Sequence, residues 1–172
     1  MTFPIDSREL VLRDGRTVRV RPLVWTDRAI YERAVMDLSP RSRYLRFFAP
    51  MPRLSERLLD HMTHTDGHRH VAHVALTPDE ATAVGVVRYI RDSHDPETGE
   101  VAIAVADDWQ RSGLGSQLLR QTVEHARLAG LESLAATTMS ENRAAAGLLH
   151  ALGFSAVASS GPYSEHLLPL GR

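Results

Sequence analysis

Apolar and polar side chains alternate at the start of the chain. Residues 9–12 and 17–21 follow the two-residue period of half-buried strands, and Asp14-Gly15 between them is a turn sequence, so the pattern predicts a hairpin ending at Pro22. Thr26 or Asp27 suits the cap of a helix reaching about Leu38. Ser39-Pro40 starts a second helix through residues 41–48, because serine accepts from first-turn N–H groups and proline has no N–H to satisfy. A third helix follows Ser55, with Leu58, Leu59 and Met62 on one face, and ends near His64. Strand patterns then occupy 70–76, 82–90 and 100–106, and the short turn sequences between them predict an antiparallel meander. The spacing switches to helical from 112 to 130, with Leu118, Leu119, Thr122, Val123 and Ala126 inward and Gly130 as the stop. Residues 134–138 read as a strand and 142–152 as a helix with Ala145, Leu148, Leu149 and Leu152 inward. Gly153 and a pair of strands around 154–158 and 165–168 finish the pattern.

The strand, helix, strand unit over 100–138 implies parallel neighbours, because such crossovers are short and right-handed. The order as a whole predicts one α/β domain over residues 1–172, α+β in layer terms, with a mixed, mostly antiparallel sheet and helices on both faces. Composition narrows the function. The 172 residues are 43% apolar, enough for a full core. With 20 basic and 21 acidic side chains there is no global field for nucleic acid, so no nucleic-acid partner is expected. The absence of cysteine excludes thiolate catalysis and cysteine metal sites. No basic leader opens the chain and no run approaches the ~20 apolar residues of a membrane span, so neither a membrane partner nor export is expected and the chain reads as cytoplasmic.

The most informative chemistry lies where the 100–106 strand runs into Gln110-Arg111-Ser112-Gly113-Leu114-Gly115-Ser116. A glycine-containing loop that opens a helix presents unpaired N–H groups and the positive end of the helix dipole to an anion, although an ordinary strand-to-helix turn has the same outline. A Rossmann fingerprint fails because Leu118 stands where its third glycine belongs, and a P-loop fails for want of Gly-Lys-Ser/Thr. Five histidines cluster at His61, His64, His68, His70 and His73, but His70 and His73 fall on opposite faces of one strand, so no metal site is expected. Arg41, Arg43, Arg46, Arg53 and Arg57 interleave with Tyr44, Phe47 and Phe48. The expectation is that Tyr44, Leu45 and Phe48 face the core while the arginines flank a ligand entrance or stay solvated.

The loop from Gln110 to Gly115 resembles the Gln/Arg-x-x-Gly-x-Gly/Ala pyrophosphate loop of the GNAT superfamily of acetyl-CoA-dependent N-acetyltransferases. Ser140-Glu141-Asn142-Arg143 through Leu152-Gly153-Phe154 is similar to that family's second signature, an asparagine-started helix closing on Leu-Gly-Phe. Leu12-Arg13-Asp14-Gly15, Val20-Arg21-Pro22-Leu23 and the 38–48 segment further resemble the acetyltransferase domain of Pat-type bacterial protein-lysine acetyltransferases. The resemblance covers nearly the whole chain and implies a GNAT fold, acetyl-CoA as cosubstrate and a protein lysine as acceptor, in the form of a catalytic domain alone. It implies contacts to the cofactor from Gln110, Arg111, Ser112, Gly113, Leu114, Gly115 and Ser116, from the backbone of Ile103, Ala104 and Val105, and from Asn142. It also implies that Glu100 helps to deprotonate the amine. An extended strand carries Glu100 about 16 Å from Val105 at about 3.3 Å per residue, which separates a reaction centre from a phosphate cradle. Leu149 stands where many members place a tyrosine that protonates the leaving thiolate, and Tyr163 and His150 are the substitutes to consider. Without cysteine no acetyl-cysteine intermediate forms, so direct transfer in a ternary complex is expected. A small-molecule amine acceptor and a non-catalytic CoA-binding sensor are the competing readings.

Overall fold

The structure is a computed structural model that describes residues 7–171. Strand β1 (Arg8–Val11) and β2 (Thr17–Pro22) form the expected hairpin, turned by Gly15 at φ 83°. Helices α1 (Arg28–Met36), α2 (Pro40–Phe47) and α3 (Glu56–Thr63) follow. Then come β3 (His70–Leu76), β4 (Ala83–Arg91), β5 (Thr98–Val105), α4 (Leu114–Leu128), β6 (Ser133–Met139), α5 (Arg143–Ala151), β7 (Ser155–Ser160) and β8 (Tyr163–Pro169). Among the described residues the eight strands make one sheet in the order β1-β2-β3-β4-β5-β6-β8-β7, antiparallel throughout except for β5 beside β6. No helix among them is long and apolar enough to cross a membrane.

The local reasons are those of the sequence. Ser39 Oγ accepts from the Ser42 N–H at 3.1 Å with Pro40 in the first turn, and Ser55 Oγ accepts from the Leu58 N–H at 3.2 Å. The expected cap of α1 is corrected. Asp27 stands at the capping position, but its carboxylate accepts two bonds from Arg21, at 2.7 and 2.8 Å, and one from the Val24 N–H, after a single 3-10 turn at Trp25–Asp27. A buried carboxylate is held better by a forked guanidinium than by one amide. Strand β5 begins two residues before the predicted start, because Thr98 hydroxyl bonds to Asp95 and Ser133 anchor it there.

Each face of the sheet has its own core. Leu114, Leu118, Leu119 and Val123 of α4 and Leu149 of α5 pack on Val87, Tyr89, Val101 and Leu134. On the other face Tyr31 and Val35 of α1 and Leu59 of α3 pack on Ala72, Val74 and Val86, with Phe47 against them. The α2 expectation is therefore corrected as well. Phe47 meets the core, whereas Leu45 and Phe48 line an open cleft and Phe48 lies 5.4 Å from the Tyr163 ring. The helix ends at Phe48 in the left-handed region, φ 62°, which swings that ring away from the α1 core.

Candidate active site

The cleft arises from a failure of pairing. Strands β5 and β6 are in register only at Thr98↔Ser133, Gly99↔Leu134 and Glu100↔Ala135, although both run several residues further. They diverge beyond Glu100 and leave a cleft of about 820 Å³, lined by β5, β6, α2 and the N-terminal ends of α4 and α5. Because the Ala106 N–H bonds to Val84 O on β4, ladder alternation turns the main chain of Ala104 towards β4 and that of Ile103 and Val105 towards the gap. Gln110 Nε2 already donates to Val105 O at 3.1 Å. Of the three β5 residues expected to contact a ligand through the backbone, the outer two are oriented for it.

The Gln110–Ser116 loop forms the far wall. Arg111 at φ 59° and Gly113 at φ 90° coil the backbone before α4, and the Gln117 N–H makes the first bond back to Gly113 O. Of the N–H groups that precede that bond, Leu114's turns to Ser112 Oγ at 3.4 Å, and those of Gly115 and Ser116 remain in the arrangement that holds an anion. Gln110, Arg111, Gly113, Gly115 and Ser116 line the cleft. Ser112 and Leu114 do not: the Ser112 hydroxyl donates to Trp109 O at 2.6 Å, and the Leu114 side chain is fully buried in the α4 core. A Cβ built on Gly115 meets Leu148 at 3.4 Å and Val105 at 3.7 Å, so glycine keeps that floor open.

The β1–β2 turn braces this loop. The Arg13 N–H donates to Ser112 O at 3.1 Å, the Arg13 side chain lies 3.2 Å from where a Gly113 Cβ would stand, and Arg16 sits 4.0 Å over the Trp109 ring. Arg13, Arg41, Arg111 and Arg143 all line the cleft, which gives a near-neutral chain a local cationic wall for a polyanion. Sequence reasoning gave Arg13 no role at the site, although it stands in the Leu12–Gly15 segment that carried part of the family resemblance.

Glu100 is exposed on the cleft wall, opposite Ile90 on one side and Ala135 on the other. The register Val86↔Ala104, Arg88↔Ala102 and Ile90↔Glu100 puts Glu100 on the α1–α3 face, followed by the small Ala102 and Ala104 as the alternation requires. Asn142 caps α5 by accepting from the Ala145 N–H at 3.1 Å and also lines the cleft. Leu149 is 4% exposed at the cleft floor, so the usual tyrosine position holds a packing side chain. Asp107, another residue the sequence left unmarked, clasps α2 to the end of β5. It accepts from the Ser39 N–H and hydroxyl at 3.0 Å and from the Ser42 hydroxyl at 2.7 Å, and these bonds outweigh burial and hold its carboxyl below the usual range.

The histidines divide as their spacing implies. His70 accepts from Arg88 on the α1–α3 face and lies 5.5 Å from His61, while His73 meets His125 edge-on at 5.8 Å on the α4 face. Burial holds both well below the ordinary value, to about 4, with Arg88 adding to the effect at His70 and His125 at His73. Among the described residues no group of three histidine or carboxylate side chains is placed to hold a metal ion.

A sheet split between its one parallel pair, with an anion-ready helix N-terminus on one wall and a carboxylate on the other, defines an acyltransferase class of fold and site. Residues 33–154 match the acetyltransferase (GNAT) family, and the chain belongs to it. It is 35% identical over 145 residues to the acetyltransferase PA5475 of Pseudomonas aeruginosa, covering 83% of this chain and 77% of that one. It is 25% identical over 142 residues to the acetyltransferase Pat of Mycolicibacterium smegmatis, but these span only 42% of that longer protein. The crystal structure of the GNAT domain of S. lividans PAT superposes with a TM-score of 0.90 at 29% identity, covering 97% of this chain and 99% of that one. The chain is thus an N-acetyltransferase whose acetyl donor is acetyl-CoA, and its acetyltransferase domain is close to the Pat type. The residues present fit that donor: the cleft has the volume for it, Gly115 puts no side chain on the floor, and four arginines line it with the charge a polyanion requires.

Proposed function

We propose that the chain, as one domain over residues 1–172 working in the cytoplasm, transfers acetyl directly to a primary amine within a ternary complex. The observation that carries this reading is the end of β5–β6 pairing at Glu100 and Ala135, which opens the gap beside the candidate base. Acetyl-CoA supplies an acetyl group already activated as a thioester. The N–H groups at the start of α4 and the arginines around them would hold the pyrophosphate, and the outward main chain of Ile103 and Val105, with Asn142, would align the arm between. Glu100 takes a proton from the incoming ammonium, directly or through one water, because only a neutral amine attacks. No protein group is assigned to protonate the departing thiolate, since Leu149 replaces the tyrosine and water can serve.

A protein lysine is the first acceptor we propose, on the similarity of the α1–α2 region and hairpin to Pat-type domains. Glu100→Gln tests the mechanism. Turnover should fall about 10²- to 10⁴-fold near neutral pH and recover part of the loss as the pH rises and free amine accumulates. Full turnover across pH 6 to 9 removes Glu100 from the mechanism. If wild type binds CoA yet releases no thiol from acetyl-CoA with any amine or lysine peptide offered, the cleft is a sensor.

A further inference from the structure

Beside the main cleft, beneath α2, lies a second cavity of about 30 Å³, bounded by Tyr31 and Val35 of α1, by Arg46 and Phe47 of α2, and by β4 from Ala83 to Arg88. It is large enough for one small polar group and its immediate partners. Arg46, Leu38 and Ala104 line both the cavity and the cleft, so the two spaces share a wall. The polar lining is unusual. Arg88 is 3% exposed; its Nη1 donates to Met62 O at 2.8 Å and to His70 Nε2 at 3.0 Å, while its Nη2 is buried with no partner. Its guanidinium lies 5.3 Å from the Tyr31 ring. Among the described residues Arg46 makes no hydrogen bond; it stacks 4.9 Å from Phe47 and feels Glu100 across space. Neither arginine has an ion-pair partner among the described residues, and burial depresses both, Arg88 to about 10 with Arg46 adding to the effect. A guanidinium out of water with one donor unpaired, beside a second, half-buried guanidinium and with no carboxylate bonded to either among the described residues, is an incomplete arrangement.

We propose that Arg46 and Arg88 form a carboxylate-binding subsite on the acceptor side of the cleft, so that the accepted amine carries a carboxylate a few bonds away. Register places it suitably: Arg88 stands opposite Ala102, so it lies diagonal to Glu100 on the same face, one carboxylate-to-amine span from the candidate base. An arginine fork matches a carboxylate in two parallel bonds, and Nη2 supplies a free donor. The carboxylate comes either from a free amino acid or from an acidic side chain beside a lysine in a polypeptide. The proposal rests on the acetyl-transfer reading of the cleft.

Binding is measured by calorimetry on the full chain without acetyl-CoA, so that the result does not depend on turnover. One arm uses β-alanine, 4-aminobutyrate and 6-aminohexanoate against their amides; the other uses a lysine peptide with glutamate beside the lysine against the same peptide with glutamine. The acid should bind about 10-fold or more tightly than its amide in one arm, which also identifies the source. Arg46→Met and Arg88→Met should abolish that difference, and Arg88→Lys should retain part of it. If Arg88→Met fails to fold, Arg46→Met, at the cleft wall, decides. Equal binding of acids and amides by wild type overturns the proposal, as does an acid preference that survives Arg46→Met unchanged. Acid-selective binding without acetyl transfer to the same compounds upholds the subsite and removes the acetyl-transfer reading instead.

Discussion

On the α4 side of the sheet, Leu114, Leu118, Leu119 and Leu134 are fully buried, and Thr122 satisfies its own hydroxyl on Leu118 O. On the α1–α3 side, an equally buried layer contains Arg88 and His70 and surrounds a cavity. The first face is closed packing and the second is packing interrupted for polar groups. The difference teaches where stability and where chemistry are stored: β4 from Gly85 onward and β5 send odd-numbered side chains to the one and even-numbered ones to the other.

Acid should test both faces most severely, because each holds one histidine neutral. Unfolded, His70 and His73 take a proton below about pH 6.5; folded, each refuses it until about 4. The unfolded state therefore binds more protons in that window, and stability is lost as pH falls from 6.5 towards 4, by about 3 kcal/mol for each histidine. Urea unfolding at successive pH values should show an uptake near two protons at pH 5, falling to one in His73→Leu. No pH dependence through this window would mean that neither face excludes the charge.

Leu118→Ala separates the faces next. Removing a side chain with no exposure beside Gly85 and Leu114 should cost about 2–5 kcal/mol of unfolding free energy, while the KM for acetyl-CoA in the folded protein stays within about twofold. A KM that moves with stability would show that the α4 core and the cleft are one unit.

How much was legible in the sequence follows the same division. The α4 stripe, the caps at Ser39, Ser55 and Asn142 and the opposite facing of His70 and His73 depend on spacing within one element, and spacing is what a sequence displays. The loop at Gln110 to Ser116 was recognised by its residue types, but that Ser112 and Leu114 turn inward depends on the α4 core and on Trp109. Arg88, between Val87 and Tyr89, has the alternation of a solvated strand position; only the helices laid over β4 bury it. The bonds from Arg21 to Asp27 and from Ser39 to Asp107 join positions set by the fold. The divergence of β5 from β6 leaves no residue-type signal, because it is a relation between strands separated by all of α4.

The gentlest test of the comparison is the clasp between α2 and β5. Asp107 holds the first turn of α2 through Ser39 and Ser42, and α2 carries Arg46 at its other end. The three bonds are solvent-accessible, so losing them in Asp107→Ala should cost only about 1–2 kcal/mol in thermal or urea unfolding. The functional effect should be directional. Freed at its start, α2 shifts over the acceptor side while the α4 loop stays braced by Arg13, so the KM for the amine should rise several-fold and that for acetyl-CoA should change little. Asp107→Asn keeps one acceptor oxygen for the Ser39 N–H and should fall between wild type and alanine. If both substrates weaken equally, the clasp supports the whole cleft, and the separation of a stabilising face from a working one does not extend to its rim.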